Sequence, residues 1–179
     1  MNSIIFIPLK DYFLSRKNVL SKFLIPILIA LAVLLLMVFF DIGNSEKVMS
    51  TFSGFIDTQI NITAILISFS IAIITILVSA DNKNIQCLKE TESSKMQYKP
   101  VNGKQLSLFQ ILLSNITYNV VVEIIYLLVL IAISLIKTIL PIVSLKFIVA
   151  ICIFIILHIL FVLLESVSQM YLTFWSNNK

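Results

Sequence analysis

The sequence predicts an all-α protein: an integral membrane four-helix bundle, N- and C-termini cytoplasmic, with a short amphipathic N-terminal helix ahead of the first span. Three observations carry this. No charged side chain occurs in residues 23–40 or 58–80. Each run is long enough to cross a hydrocarbon core about 30 Å thick at about 1.5 Å per residue. Hydrophobic residues make up 59% of the chain and charged residues 12%, with a mean hydropathy of +1.05; soluble domains carry about 25% charge. Finally, positive residues gather on alternate connections. With four spans and both termini inside, ten of the 13 Lys and Arg residues face the cytoplasm and three do not, which is the arrangement the positive-inside rule selects.

Residues 1–22 read as a basic pre-membrane helix and 23–179 as the four-span domain, with spans near 23–40, 60–80, 116–136 and 142–164 and a cytoplasmic loop near 81–107. Pro8 suits a first helical position. Leu9, Tyr12, Phe13 and Leu20 can share one face, with Lys10, Lys17 and Lys22 elsewhere. Two roles fit this pattern: a helix lying in the headgroup layer, or a basic surface that docks an anionic partner. The first span has no polar side chain after Pro26 and is expected at the lipid-facing periphery, with Pro26 in its first turn. It reads as a retained anchor and not as a cleaved leader.

Residues 41–59 are expected to form an interfacial turn or to extend the second span. That span differs from the first. Asn61, Ala64, Ser68, Ala72, Thr75 and Ser79 recur every three or four positions and stack as a stripe of small or weakly polar groups. In lipid such a stripe serves either as a tight helix–helix seam or as the lining of a pore in an oligomer. The loop that follows carries Lys83, Lys89, Lys95, Lys99 and Lys104, with a turn expected at Pro100 and Asn102-Gly103. With Lys10, Arg16, Lys17 and Lys22 these form a basic cytoplasmic surface. It either sets topology alone or also meets an anionic ligand, such as a nucleotide or oligonucleotide, or a soluble partner protein.

Glu123 and His158 are the two ionisable groups well inside their spans, and they are nearly equidistant from the turn at Leu140–Pro141. An antiparallel hairpin would bring them to one depth. A carboxylate and an imidazole that meet lower each other's desolvation cost. Asn119 and Tyr126 lie about one turn to either side of Glu123, and Glu165 extends the stripe from His158. The set reads as a register-fixing hydrogen bond, as an ion pathway or protonation gate, or as residues rotated so that they never meet. Tyr171, Phe174 and Trp175 fit an aromatic belt.

Several classes are set aside. Cys87 and Cys152 form no CxxC pair, and one histidine does not build a multi-histidine metal site. Three glycines leave no Gly-rich phosphate loop. No nucleophile–base pattern or aspartate pair lies within a span, so neither catalysis nor a cofactor is expected.

The basic pre-membrane helix, the small-residue second span NITAILISFSIAIITIL and the long third helix entered through SLFQILLSNITYNVVVEIIYLL resemble small four-span membrane proteins of bacterial anti-phage defence systems. The Hailong membrane effector is the nearer comparison and the tetraspan component of Kiwa the second. The likeness is architectural and covers most of the chain. It implies a multi-pass inner-membrane homo-oligomer, plausibly a tetramer, that stays closed until a cytoplasmic signal makes it permeabilise the membrane or recruit an effector. Two other classes remain open: a non-conducting scaffold or sensor that tethers a soluble partner, and a holin-like or toxin-like lysis protein.

Overall fold

A chain this apolar satisfies its backbone polar groups within its own segments, and helices do so locally. The computed structural model describes residues 6–40, 45–80, 83–101 and 103–176. Among these residues there are six helices: α1 (Ile7–Ser15), α2 (Leu20–Phe39), α3 (Ser45–Ser79), α4 (Lys83–Glu90), α5 (Leu108–Ile136) and α6 (Ile142–Ser176). Of these, α2, α3, α5 and α6 are long and apolar enough to cross a membrane. Among the described residues there is no strand, only isolated bridges.

The helices overrun the expected spans because charge marks the lipid boundary while helix propensity does not stop there. The α3 helix begins at Ser45, so of the two forms expected for residues 41–59 the described ones, from Ser45 on, take the extension of the second span. The expected pre-membrane helix is shorter than Pro8 to Lys22. It ends at Ser15, and Arg16 takes an extended backbone at φ −102° and ψ 143°. Lys22 therefore belongs to α2, and Pro26 sits buried inside that helix and not in its first turn. The N-terminal face also divides differently. Tyr12 is buried and Leu9 packs beside it, while Phe13 and Leu20 are exposed.

Residues 91–107 are folded and not merely solvated. Ser93 N donates to Leu106 O at 2.8 Å and Leu108 N to Thr91 O at 2.9 Å, which closes the stem. At the tip, Val101 and Lys104 exchange backbone hydrogen bonds at 2.9 and 3.0 Å. Gly103 supplies the positive φ of 76° that this tight turn requires. Asn102, its expected partner in the turn, lies outside the described residues, as do the side chains of Phe174 and Trp175. Tyr171, the remaining member of the expected belt, is exposed.

The contacts divide the chain into two compact units. The terminal unit comprises residues 1–19, 68–122 and 160–179. Its core has two clusters. In one, Ile85 and Leu88 of α4 meet Leu77 of α3 and Leu112 and Ile116 of α5. In the other, Tyr12 of α1 meets Tyr118 of α5 and Val162 of α6. The hairpin unit comprises residues 20–67 and 123–159, which are two helical hairpins. It buries Ala30, Phe52, Ile56, Leu130, Leu145 and Ala150. Within α2 only Pro26 and Ala30 are buried, in keeping with the peripheral place expected for the first span.

Candidate functional site

In the terminal unit the most concentrated polar chemistry surrounds Arg16. Ending α1 at Ser15 frees the next residue for backbone pairing with the loop. Arg16 and Tyr98 form an antiparallel bridge, flanked by Lys17 N to Gln97 O at 3.0 Å and Lys99 N to Ser15 O at 2.8 Å. That bridge drives the arginine inward. Its guanidinium forms an ion pair with Glu165 of α6 at 3.0 Å and donates to Asn115 Oδ1 of α5 at 2.7 Å. Its Cζ lies 4.3 Å from the Tyr12 ring centroid, and Tyr12 stacks on Tyr118 with centroids 3.7 Å apart. The Glu165 carboxylate also accepts from Tyr98 Oη at 3.5 Å and from Gln169 Nε2 at 3.4 Å. Burial pushes the Tyr12 phenol up to about 12 and raises that of Tyr98, with the Arg16 cation partly opposing the shift in both.

This corrects one reading of the sequence. Arg16 is not part of a basic surface; it is 3% exposed and fixed to Glu165. The eight lysines assigned to that surface, Lys10, Lys17, Lys22, Lys83, Lys89, Lys95, Lys99 and Lys104, are exposed. Three of them, Lys17, Lys95 and Lys104, line a polar cavity of about 700 Å³ together with Glu92, Tyr98 and Gln105. Lys17 Nζ donates to the Lys95 carbonyl at 2.6 Å, which joins the segment after α1 to the loop.

The set built around Glu123 is divided. Asn119 and Glu165 belong to the terminal unit, while Glu123, Tyr126 and His158 belong to the hairpin unit. Glu123 and His158 are 0% and 3% exposed, so neither is turned toward the chain's own surface. The His158 ring stacks on Phe23 of α2 with centroids 4.4 Å apart and planes 13° from parallel. The Tyr126 hydroxyl lies 3.1 Å from Gln59 Oε1 and 3.2 Å from the Cys152 carbonyl, and its proton is directed at these acceptors. Sequence reading missed Asn115, Tyr98, Gln169 and Gln59 as members of these sites. A signal existed for two of them: Asn115 precedes Asn119 by one turn and Gln169 follows Glu165 by one turn, so each continues a polar row.

The α3 stripe faces outward. Asn61, Ala64, Ser68, Ala72, Thr75 and Ser79 are all exposed. The buried side of α3 carries Phe52, Ile56, Gln59, Thr63, Ser70 and Leu77, roughly opposite at 3.6 residues per turn. Thr75 and Ser79 return their hydroxyls to the carbonyls of Ile71 and Thr75 at 2.9 and 2.6 Å. These groups therefore tolerate lipid or a close helix neighbour without further partners. The stripe does not serve as a seam within this chain.

Among the described residues no cluster of His, Cys, Asp and Glu is arranged to hold a metal ion. No family model, curated protein or solved structure matches the chain.

Proposed function

We propose that the protein is an oligomeric inner-membrane effector that permeabilises or depolarises the membrane in response to a cytoplasmic signal, in the setting of anti-phage defence. One observation carries this reading. The small-residue stripe of α3 is exposed on the side away from the chain's own buried face. In lipid, a face of that composition gains its packing from another helix, and the helix at hand is the α3 of a second copy. Four copies are expected, around a path lined or flanked by Ser68, Ala72 and Thr75.

With both termini cytoplasmic, the terminal unit is the part of the chain that meets a signal. The three-lysine cavity supports an anionic ligand, either a nucleotide or an oligonucleotide. The Arg16 cluster ties α1 and the loop to α5 and α6, so a ligand seated beside Tyr98 acts directly on helices that continue into the spans. A non-conducting scaffold would use the same surface to hold a soluble partner protein.

The test is ion flux from liposomes holding the purified full chain, with and without added nucleotide or oligonucleotide. Signal-dependent flux is expected, together with loss of both flux and oligomer in Ser68→Leu and Ala72→Leu variants. Oligomers that never leak under any trigger would establish the scaffold. Constitutive leakage that collapses the membrane potential on expression alone would establish a lysis protein.

A further inference from the structure

The hairpin unit holds a second cavity, of about 480 Å³, at the ends of its helices. Its walls are almost entirely apolar: Met37 of α2, Phe52 and Phe55 of α3, Leu145 and Val149 of α6. Two cations, Lys47 of α3 and Lys146 of α6, line it, and among the described residues no acidic one does. Neither ammonium donates a hydrogen bond or forms an ion pair among the described residues. Lys137, the third lysine at these helix ends, is engaged with Ser53 Oγ at 2.6 Å. The volume lies within the range of about 300–1,000 Å³ typical of ligand sites.

A separate groove of about 220 Å³ between α2 and α6, with almost no polar surface, is lined by Ala30, Leu34, Phe147, Ala150 and Phe154. Cavity and groove both lie on helices that are apolar enough to cross a membrane, and only the larger one has cations in its lining.

We propose that this is a binding site for one anionic phospholipid. Its phosphate would be held by Lys47 and Lys146, and its acyl carbons would lie against the apolar walls formed by Phe52, Phe55, Leu145 and Val149. Charge complementarity selects this occupant. An isolated lysine near a helix end snorkels toward the interface. Two lysines lining one apolar cavity, with no carboxylate among the described lining residues, call for an anion that carries its own hydrocarbon. Apolar chains alone would leave both ammoniums without a counter-anion, and a free phosphate would leave the apolar walls uncovered. The inference stands apart from the proposed effector activity and holds for a conducting or a non-conducting protein.

Native mass spectrometry of the purified, delipidated full chain tests it, with phosphatidylglycerol, phosphatidylcholine of the same chains, and sn-glycerol 3-phosphate added in turn. One phosphatidylglycerol per chain is expected to be retained about tenfold more strongly than phosphatidylcholine, the scale of one charge-assisted contact. Glycerol phosphate is expected not to compete. The Lys47→Gln/Lys146→Gln double variant should bind both lipids equally, and Lys146→Arg should restore the preference. Equal binding of the two lipids by the unaltered chain would overturn the proposal, whatever the variants do. Displacement by glycerol phosphate would also overturn it and would make the site one for a water-soluble anion.

Discussion

The terminal unit and the hairpin unit both bury polar side chains, but they do so with different chemistry. In the terminal unit a charged pair, Arg16 and Glu165, is held by Asn115, Tyr98 and Gln169. In the hairpin unit Tyr126 and His158 are held by neutral contacts: Tyr126 meets Gln59 and the Cys152 carbonyl, and the His158 ring stacks on Phe23. The contrast teaches where specificity lies. Two buried charges in register stabilise little beyond apolar substitutes, yet the loss of one partner strands the other. Stacked rings and a neutral hydrogen bond are more forgiving, since each removal leaves a smaller unmet demand.

The largest expected effect comes from breaking the charged side of this comparison. Arg16→Met should destabilise the terminal unit by about 3–5 kcal/mol, read as a lowered unfolding temperature in detergent. The Arg16→Met/Glu165→Met double variant should recover most of that loss. If the double variant is as unstable as the single, the ion pair does not dominate the cluster.

On the neutral side, His158→Ala removes a stacked ring and opens a void against Phe23, at a cost of about 2 kcal/mol or more by the same assay. Tyr126→Phe keeps the ring and removes only the hydroxyl, so a loss of about 1 kcal/mol is expected. A Tyr126→Phe loss as large as that of Arg16→Met would erase the contrast between the units.

The smallest effect depends on pH. Tyr12 has a folded value near 12 against an ordinary value of 10.0, so the folded state holds its proton more tightly than the unfolded state. Its contribution is full below 10.0 and is lost as pH rises from there through about 12. Thermal melts across that window should show a downward slope that Tyr12→Phe flattens. An unchanged slope in the variant would mean that another group sets the alkaline limit.

Much of the architecture was legible from residues 23–40 and 58–80 alone, because a long uncharged run leaves a chain few alternatives to a helix of spanning length. The ends were less legible. Charge counting stops at Asp57, whereas α3 continues back to Ser45. The stripe on α3 was legible as a pattern but its direction was not. In a helix apolar on every side, hydrophobicity does not indicate which face turns inward, and small residues suit both a seam within one chain and a seam between copies. Arg16 was misread for a simpler reason. Its partner lies 149 positions away, and a count of positive residues treats it as one of a cluster with Lys17 and Lys22.

That separation bears on the order of synthesis. When Arg16 is joined to the chain, 149 residues are still to be added before Glu165 exists. At roughly 5–20 residues per second, that is a delay of about 7 to 30 seconds. Until then the guanidinium has water or lipid phosphate for company, and the Tyr12–Tyr118 stack must likewise wait for α5. Helix α1 is thus made well before the contacts that hold it, and the finished cluster marks a chain in which α6 has arrived.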